Sequence, residues 1–284
     1  MRRTLFAAAL LALAPIGLAA AACPDEAAVD RLSRSLLANQ PAQPLTGMTG
    51  LADGQCAQDR LVRLMAQHWG QPVGYKVGLT NPTAQQRFGV SHPVTGVIYE
   101  STVRARSGAE VPARFGSVPT VEADLIVRIR DEGINQARTH LEVLRHLDLV
   151  IPFIEMPDLV LASGMDGPNL LAINVGARLG VVGEAIPVQA TEDFAARLAS
   201  MTVTLHADER ELARAPGTAL LGHPLNVLPW LAQDLASRGE RLRAGQLISL
   251  GGFSPALPTE AGRTYTVRYE GLLAQPVSVS VRTR

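Results

Sequence analysis

The chain has 284 residues, of which 47% are hydrophobic and 18% are charged, and its 26 basic residues balance its 26 acidic residues. This composition is typical of a globular protein and excludes three other classes. Disordered chains are poorer in apolar residues, collagen needs a regular glycine repeat, and nucleic-acid-binding proteins usually carry an excess of basic residues. A chain of this length can bury about 75% of the surface that it exposes when unfolded. Packing alone can therefore stabilise one large domain or two small ones.

The first 22 residues have the three parts of a secretory signal peptide. A short basic start at residues 1–4 is followed by a run of almost only Leu and Ala over residues 5–18, and then by small residues at 20–22 that suit a signal peptidase. The apolar run is too short to cross a hydrocarbon core about 30 Å thick, and Pro15 and Gly17 interrupt it. We therefore expect export to the periplasm and a mature chain without a membrane span.

The chain contains two cysteines, Cys23 and Cys56, which are 33 positions apart. In an oxidising compartment, a disulfide between them would stabilise the fold by roughly 3–4 kcal/mol in the chain-entropy model. Two other interpretations of this region stay open. The pair of arginines at the start faintly resembles a twin-arginine signal, and Cys23 after small residues faintly resembles a lipoprotein cleavage site, which would leave Cys56 as a free thiol.

Helical patterns dominate the start of the mature chain. Over residues 25–37, and again over residues 58–69, apolar side chains recur on one face at the spacing of an α-helix. Gly70 then ends the second pattern. These features predict a helical N-terminal part over residues 23–72.

From residue 73 the pattern changes to short β-type runs separated by Gly and Pro. The predicted strands comprise residues 73–79, 96–99, 121–130, 149–156, 201–206, 246–250, 264–269 and 277–281. Two helices interrupt them, one over 139–147 and one over 224–237 that Pro229 kinks or delays. Because the strands do not alternate regularly with helices, the pattern favours an α+β fold, with a mixed and strongly curved sheet over residues 73–284.

Lys76 is the only lysine in a chain that has 25 arginines. It lies in the apolar, glycine-flanked strand predicted at 73–79. A buried ammonium group can lose its proton, whereas a guanidinium group stays protonated, so a selected lysine indicates proton transfer. A lysine on the solvated face of an edge strand would give the same local pattern, and both interpretations stay open.

Three acidic residues on predicted strands are candidate metal ligands. Glu122 and Asp124 are two positions apart on one strand, so their side chains point the same way and suit a divalent ion, although a solvated face of paired acids and arginines has the same spacing. Glu155 lies among apolar residues, and a buried carboxylate needs a cation, a donor or a proton. A metal ion would supply that cation, and a salt bridge to an arginine is the alternative.

Two glycine-containing stretches, residues 222–226 and 249–255, are candidates for backbone that holds a ligand. Glycines let main-chain amides approach a small carboxylate, and the Ser254 hydroxyl adds a donor. Both stretches are also compatible with ordinary turns and helix caps, which is the interpretation favoured for His223.

Five segments together resemble the fumarylacetoacetate hydrolase superfamily, in particular its branch of 2-keto-4-pentenoate hydratases and 4-oxalocrotonate decarboxylases. The resemblance covers most of the mature chain. The segments are GYKVGLT at 74–80, VEAD at 121–124, PFIEMPD at 152–158, LGHPLN at 221–226 with WLA at 230–232, and GGFSPALP at 251–258.

The resemblance implies a mixed sheet rolled around a metal site, with helices outside it and subunits assembled into a homo-oligomer. It carries the metal ligands over onto Glu122, Asp124 and Glu155, and the catalytic lysine onto Lys76. Carboxylate oxygens suit Mg²⁺ or Mn²⁺. The residues that we expect to contact the substrate are Gly251, Gly252, Ser254 and Asn174.

The implied function is that of a metal-dependent lyase acting on a small 2-oxo acid, with hydration of 2-hydroxypenta-2,4-dienoate as the leading reaction. The alternatives are acylpyruvate carbon–carbon hydrolysis, 2-oxo acid decarboxylation and a noncatalytic exported protein that binds carboxylates. The chain departs from the branch in two places. Asp124 replaces the usual Glu, and INVGAR at 173–178 replaces a run with an acid and small hydroxyls. An export signal is also unusual in this family.

Overall fold

The computed structural model describes residues 23–284, and the predicted signal peptide at residues 1–22 lies outside the described residues. The helices are α1 Glu26–Leu37, α2 Leu51–Trp69, α3 Pro82–Arg87, α4 His140–Arg145, α5 Gly167–Ala172, α6 Glu192–Ser200 and α7 Val227–Ser237. The strands are β1 Pro72–Gly78, β2 Val94–Tyr99, β3 Ala105–Arg106, β4 Ala109–Val111, β5 Thr120–Ile129, β6 Leu147–Met156, β7 Leu179–Val182, β8 Ile186–Pro187, β9 Thr202–Ala207, β10 Arg210–Pro216, β11 Leu247–Ser249, β12 Leu257–Pro258, β13 Thr264–Glu270 and β14 Val277–Thr283.

The strands form two mixed sheets. The larger sheet has nine strands along the order β2-β1-β11-β5-β6-β7-β3, with β12 on β5 and β8 on β6, and the smaller has the order β10-β9-β13-β14-β4. The pairs β1–β11 and β4–β14 are parallel, whereas β5–β6 is antiparallel. The α+β class and the mixed strand directions are confirmed. The expectation of one strongly curved sheet is wrong, because over residues 23–284 the strands divide into two sheets and neither strand path closes.

Packing of one sheet against the other explains this division. Strands β13 and β14 bury alternate residues, as expected when one face of a sheet is covered, while β5 and β6 are buried almost throughout. Tyr269 on β13 joins the two layers, because its hydroxyl donates to the carbonyl of Asp124 on β5 and accepts from the amide of Phe153 on β6 at 3.1 Å. The main core lies between the sheets and helices α4, α6 and α7.

The N-terminal helices cover a second core together with α5. Helix α2 begins at Leu51, earlier than the apolar pattern predicts. Gly54 lies where a Cβ atom would be 2.4 Å from the carbonyl oxygen of Pro168, so this first turn packs closely against α5 through a residue that has no side chain. Cys23 and Cys56 are disulfide-bonded, with Cα atoms 5.5 Å apart, as predicted.

The eight strands predicted from the sequence are all present, each within two residues at either end. The elements without a prediction are short or exposed, such as α3, α5 and the edge strand β10. The last helix starts late, as Pro229 suggests, because a short 3₁₀-helix over Pro224–Asn226 precedes α7.

Within residues 23–284, we find no helix with the length and apolar character needed to cross a membrane.

Candidate active site

A cavity of about 500 Å³ opens between the larger sheet and α3. Its wall combines residues from β1, α3, β5, β6 and the glycine-containing loop that follows β11. Four charged side chains line it, and all the other lining residues are uncharged: the charged ones are Lys76, Arg87, Glu122 and Glu155. Its size is typical of a pocket for a small organic molecule.

Strand register brings the acids and the lysine together. Antiparallel pairing of β5 and β6 sets Glu122 opposite Glu155, and parallel pairing of β1 and β11 sets Lys76 beside Ser249. The Lys76 ammonium forms an ion pair with Glu155 and donates to the carbonyl of Val175 at 2.9 Å. Lys76 and Glu155 are only 4% and 2% exposed, so the cation that Glu155 requires is this lysine rather than an arginine.

A strained turn presents the Val175 carbonyl to Lys76. Asn174 and Val175 have φ angles of 55° and 53°, a left-handed conformation that is costly for a β-branched residue. The Asn174 side chain holds the turn, since its oxygen accepts from the Val97 amide at 2.7 Å and from Gln58 at 3.0 Å, and its nitrogen donates to the Val97 carbonyl. Gly96 leaves room for this turn, because a Cβ atom there would lie 2.9 Å from the Asn174 carbonyl oxygen.

Asn174 therefore does not lie where its predicted role requires. It is 2% exposed, its amide is fully engaged in hydrogen bonds, and it does not line the cavity. The sequence correctly indicated that this segment adjoins the pocket. The neighbouring backbone carbonyl reaches the site, however, and the Asn174 side chain does not.

Glu122 faces the cavity from β5 and is half-buried. Burial and the negative charge of Glu155 raise the pKa of Glu122 to about 8, although Lys76 partly opposes the shift. Gly252 makes room for this carboxylate, because a Cβ atom at Gly252 would lie 2.8 Å from Glu122 Oε2. The missing side chain at Gly252 thus has a steric role, and Gly252, which we expect to contact the substrate, lines the cavity.

Asp124 is completely buried and its carboxylate is held by β11 and the residues after it. It accepts from the Ser249 hydroxyl at 2.5 Å, from the Leu125 amide at 2.5 Å and from the Gly251 amide at 3.2 Å. Burial and the charge of Glu155 raise the pKa of Asp124 to about 7, against the lowering effect of the Ser249 and Leu125 donors. Asp124 and Gly251 do not line the cavity.

The three candidate ligands are neighbours but do not converge. Among residues 23–284, no set of three or more acidic, histidine or cysteine side chains is arranged to hold a metal ion. Glu122 and Glu155 share the cavity, while Asp124 lies beside it with its carboxylate turned toward Ser249. The structure thus places three carboxyl groups and one ammonium group in one buried region of the sheet.

Ser254, which we expect to contact the substrate, lines the cavity. Its hydroxyl oxygen accepts from the Ala123 amide at 3.0 Å, which leaves the hydroxyl proton free to donate to a ligand. His223 instead caps the 3₁₀-helix before α7, where its Nδ1 accepts from the Leu225 amide at 3.0 Å. Burial and the nearby His140 lower the pKa of His223, which favours the neutral ring that can accept this hydrogen bond.

Three residues that sequence reasoning missed support the site: Ser249, Val175 and Tyr269. Ser249 begins the glycine-containing stretch already selected at 249–255, and Val175 follows Asn174, so both had a local signal. No local signal exists for Tyr269, since its contact with Asp124 depends on how the two sheets pack.

No protein-family model matches the chain. A 2-keto-4-pentenoate hydratase from Paraburkholderia phymatum is 30% identical over 212 residues, which cover 74% of this chain and 78% of that protein. The solved structure of 4-oxalocrotonate decarboxylase from Pseudomonas putida G7, complexed with magnesium and adipate, matches with a TM-score of 0.79 and 27% identity. That match covers 91% of this chain and 96% of the decarboxylase.

A more distant structure shows that the fold is shared more widely. Fumarylpyruvate hydrolase from Pseudomonas aeruginosa, solved in complex with Mn²⁺ and pyruvate, matches with a TM-score of 0.53 and 18% identity over 74% of this chain and 89% of that one. The chain belongs to the family of 2-keto-4-pentenoate hydratases and 4-oxalocrotonate decarboxylases, it shares its fold with fumarylpyruvate hydrolase, and it is a hydratase-like enzyme.

Proposed function

We propose that this protein is a divalent-cation-dependent lyase that adds water to a 2-hydroxydienoate such as 2-hydroxypenta-2,4-dienoate. The observation that carries the proposal is the buried group of three carboxyls around a single lysine, next to a cavity whose remaining wall is mostly uncharged. The hydratase relative at 30% identity supports the same chemistry.

The residues present fit a divalent cation. When fully ionised, Glu122, Asp124 and Glu155 outweigh the charge of Lys76 by two, and burial makes such an imbalance costly. Oxygen donors of this kind suit Mg²⁺ or Mn²⁺. Glu122 and Glu155 already share the cavity, and Asp124 would join them by giving up its hydrogen bond with Ser249. When bound, the cation supplies positive charge that stabilises negative charge on the carboxylate and 2-oxygen of the substrate.

Lys76 is the proposed proton carrier. In the reaction the 2-hydroxyl loses a proton, a carbon of the diene gains one, and water adds across the remaining conjugated double bond, so the atoms balance. Lys76 lines the cavity, and the Val175 carbonyl and Glu155 fix the position of its ammonium group. The free proton of the Ser254 hydroxyl is available to bind an oxygen of the substrate. General acid–base catalysis at Lys76 would then transfer the proton from a buried ammonium group.

Decarboxylation is the second candidate. It is favoured by the match to 4-oxalocrotonate decarboxylase over 91% of this chain. Both reactions pass through negative charge on the 2-oxygen, so the same carboxyls and lysine serve either one.

We also propose that the enzyme is exported and assembles as a homo-oligomer. The disulfide between Cys23 and Cys56 supports export, because disulfides persist in oxidising compartments. Cell fractionation and light scattering of the purified protein test the two parts separately. A cytoplasmic protein with free thiols would contradict export, and a monomer would contradict assembly.

The experiment that tests the proposed reaction uses purified protein beginning at residue 23. It is assayed on 2-hydroxypenta-2,4-dienoate, 4-oxalocrotonate and an acylpyruvate, with Mg²⁺, with Mn²⁺ and with a chelator. We expect the dienoate absorbance to fall with either metal and to stay constant with the chelator. If 4-oxalocrotonate is the only substrate that reacts and it releases CO₂, the protein is a decarboxylase. If the acylpyruvate is the only substrate that is cleaved, the protein is a hydrolase. Binding without turnover of any substrate would leave a noncatalytic carboxylate-binding protein.

A further inference from the structure

One buried side chain connects helix α2 to the turn beside Lys76. Gln58 is 2% exposed. Its Nε2 donates to the Thr95 carbonyl at 2.8 Å and to Asn174 Oδ1 at 3.0 Å, while its Oε1 accepts from Gln55 Nε2 at 2.7 Å. Both protons and the oxygen of this amide are thus engaged, and they join a helix, a strand and the turn.

The groups that Gln58 holds meet at Gly96. This glycine pairs with Lys76 in the β1–β2 register, and a Cβ atom there would lie 2.9 Å from Lys76 Cγ and 3.2 Å from Val175 Cβ. Strand β2, the turn and the Lys76 side chain therefore crowd around one position that has no side chain of its own. By bonding to β2 and to the turn together, Gln58 fixes how the turn sits over Lys76.

The position of the turn matters because its main chain contacts the ammonium group. Lys76 donates to the Val175 carbonyl at 2.9 Å and forms an ion pair with Glu155. The left-handed conformation of Val175 is unfavourable for a β-branched residue, so bonds from outside the turn must maintain it. Strand β2 supplies some of these bonds, and Gln58 supplies the one that comes from α2.

We infer that Gln58 is a positioning residue for the proposed proton carrier: it holds the turn at residues 173–177 so that the Val175 carbonyl orients the Lys76 ammonium group. This inference rests on the proposed function. It gives the helical N-terminal part of the chain a role in turnover, although that part lies outside the five segments that carry the family resemblance.

Gln58 also lines a second cavity, of about 340 Å³, between α2 and the β1–β2 strand pair. The wall of this cavity shares no residue with the wall of the active-site cavity. Shortening Gln58 to alanine removes a CH₂CONH₂ group, which acetamide matches in size and in hydrogen-bonding groups. Acetamide can therefore reach the vacated space without competing with the substrate.

Turnover and chemical rescue test the inference. In Gln58→Ala we expect kcat to fall by about 10- to 100-fold, as for a misplaced catalytic group, while KM changes little. Acetamide should restore part of this kcat in a saturable way. Gln58→Met fills the same space without a donor, so it should lose as much kcat and show no rescue. Asn135→Ala is the matched control and should keep its kcat, because that amide also makes three hydrogen bonds but lines neither cavity.

The single lysine of the chain allows a second test that does not depend on turnover. When lysine is labelled with ¹³C at Cε, Lys76 gives the only lysine signal in the NMR spectrum. We expect this signal to move in Gln58→Ala and in Gln58→Met, and to stay in place in Asn135→Ala. Acetamide should return the signal of Gln58→Ala toward its wild-type position. If Gln58→Ala does not fold, the volume-matched Gln58→Met still gives both measurements.

In active enzyme, an unchanged kcat or an unchanged Lys76 signal in the Gln58 variants would overturn the inference. An equal loss of kcat in Asn135→Ala, or equal rescue of Gln58→Met, would also overturn it, because either result indicates a general effect on the fold. Inactive wild-type protein would overturn the proposed function instead. The Lys76 signal then decides the role of Gln58 separately: a signal that moves supports positioning, and a signal that stays in place overturns it.

Discussion

The β5–β6 strand pair and the turn at residues 173–177 contribute to the same site in opposite ways. The strands contribute side chains, and antiparallel register sets Glu122 against Glu155. The turn contributes a backbone carbonyl, which Val175 presents to Lys76 from a left-handed conformation. Alternation along a strand therefore shows which side chains share a face, whereas a strained turn can place its main chain at the site and use its polar side chain as support.

The largest expected effect is on proton transfer by Lys76, whose ammonium group contacts both regions through Glu155 and the Val175 carbonyl. Replacing Lys76 by Arg keeps a cation for Glu155 but removes the ability to release a proton, so turnover should fall by about 10² to 10⁴. Steady-state kinetics measures the loss, and thermal unfolding should change little. Lys76→Met, which also removes the ion pair, is the comparison variant. A Lys76→Arg enzyme with normal turnover would assign the lysine to anchoring instead.

The strand pair is tested through stability. Glu155→Gln leaves the buried Lys76 ammonium without its carboxylate, which should lower the free energy of unfolding by about 3 kcal/mol. Glu122→Gln is the matched control on the partner strand. Because burial and Glu155 already raise the pKa of Glu122 to about 8, removing its charge should leave the metal-free protein as stable or more stable. Chemical denaturation measures both variants, and equal destabilisation by the two would contradict the different roles assigned to them.

The turn is tested at the side chain that supports it. Asn174→Ala removes the buried hydrogen bonds to Val97 and Gln58, so it should lower the free energy of unfolding by about 2 kcal/mol and reduce turnover through the displaced Val175 carbonyl. Asn174→Asp keeps the acceptor oxygen but sets a buried carboxylate oxygen against the Val97 carbonyl, so it should lose as much as Asn174→Ala or more. Denaturation and kinetics follow the two variants. Normal stability with a loss confined to substrate affinity would restore the direct contact predicted from the sequence.

A separate effect is expected on the pH dependence of stability without metal. Glu122 and Asp124 have folded pKa values of about 8 and about 7, both raised by burial and by Glu155. The folded chain therefore binds these protons more tightly than the unfolded chain. Their stabilising contribution is complete below pH 4, and it is lost as the pH rises toward 8. The melting temperature in a chelator should fall over this range, and Mg²⁺ should reverse the fall. A melting temperature that does not decline would contradict the excess of negative charge that we assign to the three buried carboxyls over Lys76.

Much of the fold was predictable because its strands carry alternating or continuous apolar patterns. Lys76, Glu122 and Glu155 stood out because a single lysine and isolated acids break those patterns. The resemblance of five segments then joined them into one site. The hydrogen bond from Ser249 to Asp124 spans 125 positions, so no local pattern encodes it.

Other features depended on packing that a single sequence does not show. The division into two sheets, the contact of Tyr269 with Asp124 and the early start of α2 at Leu51 all result from surfaces that meet only after folding. The sequence shows that Asp124 has a side chain one methylene shorter than the Glu that is usual at this position. Its consequence, a carboxylate held beside the cavity, followed only from the position of β11.

The central claim is that the three carboxyls near Lys76 bind a divalent cation. Calorimetric titration of metal-free protein with Mn²⁺ at pH 8 tests this claim most directly, because it measures that binding. The account predicts one ion bound per chain, with binding abolished or weakened at least about 10-fold in Glu122→Gln. Arg31→Gln, at an exposed arginine of α1 outside the cavity, is the control and should bind as wild type does. No binding to wild-type protein, or unchanged binding in Glu122→Gln, would contradict the account.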